Sequence, residues 1–364
     1  MVQETKEKGA EMEEIPVQYQ TKEKENGIVN SYGIGIRHVQ MVCMFICVVA
    51  MYVGRSCMSV AVLAMTDENR RNDTDIVIYS WDKKTQGLIL SSFFWGYTVM
   101  QIPGGILAKK FGGKPVVLFG LLANGVLSLI LPSLAQWGDW PMVCAARVAM
   151  GLTQACLFPS THTIIGRWIP MHERASITGF VYGGVQLGVI LAMPLSGVLA
   201  STAMGWKLIY YAISGVMLAA ALIWFALSAS TPGDHRMISA EEREYIESGM
   251  NLSKKEGILR TPWRQILRTK EMWACLVAHV AGTIGFTMFF IDMPTYLEHG
   301  LQISLRNSAA LSALPFIGMW IGGVVSSWLS EALSNRNLLS VITCRKIFNS
   351  TTSFLENKMA AERW

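Results

Sequence analysis

Two arginines, Arg55 and Arg147, stand inside runs of apolar residues long enough to cross a bilayer. Arg55 is preceded by the apolar stretch 39–53 and followed by 56–65, and Arg147 lies within 140–160. A guanidinium near the bilayer centre costs at least ~2.5–3.5 kcal/mol on insertion scales, so it is kept there for a partner or a ligand. Its fork of donors fits a carboxylate or phosphate through two parallel hydrogen bonds. Two such cations at membrane depth point to the chemistry of an anion. The alternative is that either arginine bonds a backbone carbonyl or locks helices together.

Other chemistry finds little support. His162 and His279 have no nucleophile and carboxylate near them in sequence, so an enzyme is not expected. Six of the seven cysteines (Cys43, Cys47, Cys57, Cys144, Cys156 and Cys275) lie in apolar runs, and Cys344 follows them. They lack metal-ligand spacing and read as small buried side chains, so no metal and no cofactor is expected.

The arginines need helices to hold them. The chain has 364 residues, of which only 16% are charged, and its net charge is +5. Soluble chains carry nearer a quarter, so the composition is that of a membrane protein. A span needs ~20 apolar residues because its backbone groups must bond within the helix. Eight such runs stand near 39–64, 87–107, 115–135, 140–160, 176–200, 207–228, 273–294 and 310–330. Residues 1–38 are rich in Glu and Lys without an apolar period, and read as a disordered tail. The first apolar run starts late and is too long for a cleaved signal, so the first span itself would direct insertion.

Lys and Arg in the short loops set the orientation. With the N-terminus inside, the cytoplasmic loops carry Lys109, Lys110 and Lys114, then Arg167 and Arg174, then the basic stretch 230–271. The opposite loops at 136–140 and 201–206 carry no Lys or Arg. The loop after the first span mixes both signs and holds the sequon Asn72-Asp73-Thr74, an exterior or lumenal glycosylation site in this orientation. The second sequon, Asn251-Leu252-Ser253, falls on the cytoplasmic side. The positive charge is therefore loop basicity, and no nucleic-acid partner is expected.

Six spans, a long polar segment and further spans make the layout of a two-half transporter. Ser239 and Glu242 in the segment form a capping-box pattern that would start a surface helix, with its charges solvated. Gly179 and Gly183, Gly184 and Gly188, and Gly318 and Gly322 have small-xxx-small spacing for close helix packing. Pro103, Pro159 and Pro194 would kink or end their spans.

The run Ser91-Ser92-Phe93-Phe94-Trp95-Gly96-Tyr97, with Gln101-Ile102-Pro103-Gly104-Gly105 and Phe111-Gly112-Gly113-Lys114, is distinctive. It resembles the second span and following turn of the major-facilitator anion transporters: sialin, the vesicular glutamate transporters and the type I sodium–phosphate cotransporters. Arg147-x-x-x-Gly151 with Pro159 resembles that family's fourth span, and Trp168-Ile169-Pro170 with Glu173-Arg174 its W-x-P-x-x-E-R turn. Ala192-Met193-Pro194-Leu195-Ser196-Gly197 resembles its fifth span. Pro294-Thr295-Tyr296-Leu297 and Leu311-Ser312-Ala313-Leu314-Pro315 resemble the region from the seventh to the eighth, and Arg345-Lys346-Ile347-Phe348-Asn349 the lead-in to the ninth. Within the group the chain reads nearest the insect members labelled inorganic phosphate cotransporters.

The resemblance implies twelve spans, alternating access and a central anion site shared by Arg55 and Arg147. At 1.5 Å per residue both arginines lie ~10–15 Å below the outer surface, so one cavity level can hold them. Tyr97, Gln101 and Gln154 are candidate polar lining, although such residues in spans also serve as helix-to-helix hydrogen bonds. Gly105, Lys109, Gly112, Lys114, Glu173 and Arg174 fall in the family's conformational turns. Some positions depart from it: Lys109 stands where the family often has an acid, and Gln154, Met150 and Leu90 replace protonatable Glu, Glu and His. Proton coupling by the sialin route is therefore not expected, and sodium coupling or a facilitated route fits better.

The expectation is an all-α membrane protein with the major-facilitator fold. It comprises a tail (1–38), a complete six-helix N-terminal half (39–228), a cytoplasmic linker (229–271), two helices of an incomplete C-terminal half (272–349) and a non-spanning tail (350–364). It would be a multi-pass protein of the plasma membrane or a vesicular or lysosomal membrane, moving phosphate or an organic carboxylate. The alternative is a truncated, non-transporting isoform or gene-model fragment that binds a full-length partner, and a seven- or eight-span receptor is the more distant rival. As written, the chain is not expected to transport.

Overall fold

The computed structural model describes residues 33–67, 77–171, 173–251 and 263–335, which are helical and contain no strand. In chain order the helices are α1 (Ile36–Met65), α2 (Lys83–Phe111), α3 (Gly113–Gln154), α4 (Leu157–Trp168), α5 (Arg174–Ala200) and α6 (Trp206–Leu227). They continue with α7 (Ala240–Asn251), α8 (Trp263–Arg268), α9 (Lys270–Thr295), α10 (Leu305–Leu311) and α11 (Leu314–Asn335). Asn72, Cys344 and residues 345–364 lie outside the described residues.

Each expected span falls on helix, with one revision. α3 contains two limbs that meet at non-helical Gly138 and Asp139. The second limb continues through a short turn at 155–156 into α4, so the fourth span reaches Trp168. Among the described residues, four stretches are long and apolar enough to cross a membrane: Ile36–Met65, Gly113–Trp168, Ser176–Ala200 and Trp206–Leu227. The second of these holds both limbs of α3 together with α4. α2 falls outside that set because Ser91, Ser92, Tyr97, Thr98 and Gln101 dilute its apolar run.

α1 is the centre of the bundle, packed against α5 and α6, while α2 lies along α3. Met41, Met44, Met51, Met58 and Met65 line its buried faces, where unbranched thioethers fill irregular gaps. Gly184 and Gly188 bring α5 onto α1, since a Cβ at these positions would meet Phe45 O at 3.1 Å and Val49 O at 2.9 Å. The other expected glycine contacts do not form: Gly179, Gly318 and Gly322 have open space where a Cβ would stand. α5 meets α10 through Gly197, beside Ala309 and Arg306, and α11 through Gly183, 3.8 Å from Trp320 Nε1.

The linker end of the bundle shows two further differences. Helix α1 begins at Ile36, inside the expected tail, and Arg37 is 1% exposed. Glu242, expected on a solvated face, is 2% exposed and accepts from Ile36 N and Arg37 N at 2.9 Å each. It caps α1 from another helix, satisfying N–H groups that have no intrahelical acceptor. Ser239 does cap α7, its hydroxyl accepting from Glu242 N at 3.1 Å.

Candidate functional site

Helix packing explains why the two arginines meet. Gly96 on α2 lies against Val148 O, and Gly151 on α3 lies against Phe93 O, so neither position has room for a Cβ. This reciprocal approach draws α2 onto the second limb of α3 and wedges Phe93 beside Arg147. Gly104 repeats the contact one level away, against Cys156. The fourth span thus covers both Gly96 and Gly104.

The Arg147 Cζ stands 4.8 Å from the Phe93 ring centre, and the Arg55 Cζ stands 5.0 Å from the same ring. Their guanidinium carbons are therefore at most about 10 Å apart. Three more rings surround Arg55: Phe94 at 5.0 Å, Tyr97 at 4.9 Å and Tyr52 at 5.4 Å. Aromatic faces attract a cation without neutralising its charge. Phe93 and Tyr97 are four residues apart and share one face of α2, their rings stacked with centres 5.7 Å apart.

The environments of the two arginines differ. Arg55 is half-buried. Arg147 is 4% exposed, its Nε is buried without a hydrogen-bond partner, and no carboxylate pairs with it among the described residues. Helix-locking by a carbonyl or an acid is thus not what the structure shows for Arg147.

The remaining expected residues divide. Tyr97 is part of the cage, and Gln101 is half-buried one turn further along α2. Gln154 is 3% exposed and donates to Met51 O at 3.0 Å, so its amide ties α3 to α1. The turn residues gather at the linker end. Gly112 has φ +88°, a left-handed conformation that suits glycine. Lys114 Nζ donates to Phe225 O at 3.0 Å and Ser228 O at 2.6 Å, closing the C-terminus of α6. Arg174 donates to Gly166 O at 3.3 Å and Ile169 O at 3.2 Å. Lys109 is exposed, and Gly105 only touches Pro159.

Glu173 joins a cluster that the sequence did not suggest. Arg37 donates to both of its carboxylate oxygens at 3.1 Å, and Tyr245 OH donates to it at 2.9 Å. The Arg37 guanidinium also lies 4.9 Å from the Tyr245 ring centre and 3.7 Å from Glu242. Tyr52, Phe93 and Phe94 were likewise unassigned, because aromatics in an apolar run have no distinguishing period.

Known proteins agree with this architecture. The family model described as Major Facilitator Superfamily matches residues 44–344. Sialin from Homo sapiens is 35% identical over 273 residues, 74% of this chain and 54% of sialin. The "Putative inorganic phosphate cotransporter" of Drosophila ananassae is 33% identical over 322 residues, 82% of this chain and 66% of that protein. The rabbit (Oryctolagus cuniculus) sodium-dependent phosphate transport protein 1 is 28% identical, covering 86% of this chain and 70% of its own length. The chain thus spans 54% to 70% of the length of these three relatives.

Among solved structures, a bacterial homolog of the human lysosomal transporter Spinster superposes with TM-score 0.61 at 16% identity, covering 83% of this chain and 64% of that one. A peptide transporter in complex with sulfate gives 0.55 at 16% identity, covering 84% and 70%. These two share the fold. The kinked, glycine-packed bundle and the family match together place this chain, as a multi-pass membrane protein, in the major facilitator superfamily, within the group of sialin and the phosphate cotransporters.

Proposed function

We propose that this protein moves a small oxyanion, inorganic phosphate or an organic carboxylate, across a membrane by alternating access, with Arg147 and Arg55 as its anion contacts. The observation that carries this reading is the uncompensated burial of Arg147 beside a caged Arg55. A buried guanidinium without an anionic partner is costly, and a bound oxyanion removes that cost. The names of the relatives, sialin and phosphate transport proteins, point to the same ligand class. Tyr97 and Gln101 line the route, and Gln154 holds α3 in place beside it.

Proton coupling through the sialin positions has no support, since Gln154, Met150 and Leu90 offer no titrating group. Sodium is the proposed coupling ion. The linker is cytoplasmic, and Gly105, Lys109, Gly112, Lys114, Glu173 and Arg174 serve the inner conformational turns. This orientation predicts a glycan on Asn72 and none on Asn251, which glycosidase treatment of the two Asn→Gln variants reads directly.

The test is uptake of labelled phosphate, glutamate and sialic acid into proteoliposomes holding a full-length counterpart, with and without sodium. One substrate should accumulate above empty liposomes, and Arg147→Lys should fail nearly as badly as Arg147→Ala because a point charge cannot replace a planar fork. Wild-type rates in Arg147→Lys would refute the bidentate contact.

A further inference from the structure

His162 and Tyr182 form a polar pair that the arginine site does not use. His162 is on α4 and Tyr182 on α5, with the hydroxyl 2.7 Å from His162 Nε2. Polar pairs inside the bundle tie helices together. Asn124 Nδ2, for instance, donates to Thr153 Oγ1 at 2.8 Å from a fully buried side chain. The histidine pair is different. Ser160, Thr161, Ile164 and Ile165 turn the buried face of α4 inward, while His162 is exposed.

On α5 the neighbouring Gly183 faces Trp320 of α11. The His162 ring also has a nitrogen to spare. Tyr182 occupies Nε2, and Nδ1 has no hydrogen-bond partner among the described residues. With the hydroxyl donating to Nε2, a neutral ring carries its proton on Nδ1 as an outward donor, and an imidazolium donates from both nitrogens.

A chain of ring contacts, two tilted and one stacked, joins this pair to the arginine site. Arg55 stands 5.4 Å from the Tyr52 ring, whose centre is 6.1 Å from that of Phe158. Phe158 stacks on Tyr182 with centres 5.0 Å apart and planes 9° apart, and Tyr182 meets the His162 ring at 5.6 Å. Along the helix axis, His162 is about 20 Å nearer the linker end than Arg147 at 1.5 Å per residue. Ring contacts thus run from the caged arginine toward the linker end, where His162 keeps a ring nitrogen for a ligand.

We infer that His162 and Tyr182 form a second oxyanion station, holding the anion between its release from the arginine site and its exit at the linker end. The station rests on the anion-carrier reading above, and its ligand class is the same: phosphate or a carboxylate. His162 supplies the N–H that contacts the oxyanion, and Tyr182 fixes the ring's orientation.

The experiment uses the purified chain with inorganic phosphate as the probe and chloride at matched ionic strength as the control. Diethylpyrocarbonate labels His162 and phenylglyoxal labels Arg55, each quantified by peptide mass spectrometry, with His38 and His235 as internal references. Phosphate should slow labelling of both His162 and Arg55 while leaving the reference histidines unchanged. Tyr182→Phe should require about tenfold more phosphate to protect His162, the effect of one hydrogen bond in a charged contact, with Arg55 protection as in the parent. Arg147→Ala should retain protection of His162. Protection of Arg55 without any at His162, or loss of His162 protection in Arg147→Ala, overturns the station and leaves the carrier reading standing. Protection of neither residue removes both.

Discussion

Arg37 and Arg147 are both buried guanidiniums in one helical bundle, yet their surroundings are opposite. Arg37 has two carboxylates and a tyrosine ring around it, with Glu173 bound through both oxygens. Among the described residues, Arg147 has a phenyl ring, a buried Nε without a partner and no carboxylate. The first arrangement fastens α1 to the α4–α5 turn and the linker helix α7, because its charge is answered from within the protein. The second leaves a charge to be answered from outside. On the proposed function, partner content, more than burial, separates a fastening arginine from a binding one.

The largest expected effect tests that contrast by stability. Arg37→Ala strands Glu242 and Glu173 without their cation and should cost ~3–5 kcal/mol, the usual penalty for breaking a buried pair from one side. Arg147→Met should be neutral or stabilising in the absence of anions, because it removes an uncompensated charge. Thermal unfolding in detergent, followed by tryptophan fluorescence, measures both. Equal losses in the two variants would erase the distinction.

Next in size is the glycine contact that positions Phe93. Gly96→Ala or Gly151→Ala places a methyl group against a backbone carbonyl of the facing helix. Each should cost ~1–3 kcal/mol through overpacking and disturb the arginine site, while Gly179→Ala, with open space around it, should not. Similar unfolding midpoints for all three would mean that the approach of α2 to α3 is not tight.

A smaller effect is expected at the fastening cluster. Tyr245→Phe removes the 2.9 Å hydrogen bond to Glu173 but leaves Arg37 in place. The expected loss is about 1 kcal/mol, read as a modest fall in the same midpoint. A loss as large as that of Arg37→Ala would move the centre of the cluster from the arginine to the tyrosine.

A pH-dependent effect is expected at a partly buried acid. Glu298, on the single π-turn Tyr296–Gly300 after α9, has a buried Oε2 without a partner. Burial, reinforced by the charge of Asp67, pushes its carboxyl up to about 7. The folded state therefore holds a proton that the unfolded chain releases in the ordinary carboxylate range. Its contribution to stability is present at acidic pH and is lost as pH rises from that range through about 7. Midpoints measured between pH 5 and 8 should fall for the parent chain, and Glu298→Gln should flatten that fall. A flat profile in the parent chain would contradict the shift.

Apolar run length made the spans legible in the sequence, and the cost of charge in lipid singled out Arg55 and Arg147. The cage around them was less visible. Phe93 and Phe94 look like any aromatics in an apolar stretch, and only the Gly96–Gly151 approach shows which ring meets which arginine. Arg37 and Glu242 were hidden for another reason. Their contact spans 205 residues of chain, and a local capping pattern at Ser239 supplied a sufficient explanation for Glu242 as a surface residue. Spacing also misled at Gly318 and Gly322, whose pattern allows a close helix contact that these helices do not make. A polar residue on a span could equally be lining or helix glue, and geometry decided it for Gln154.

The central claim is that Arg147 is kept buried for an oxyanion. Equilibrium binding of labelled inorganic phosphate to the purified chain tests it most directly, comparing the parent with Arg147→Met at matched ionic strength and confirmed folding. The parent should bind phosphate saturably, and Arg147→Met should lose that binding while remaining at least as stable. Phosphate bound equally well by Arg147→Met would contradict the claim.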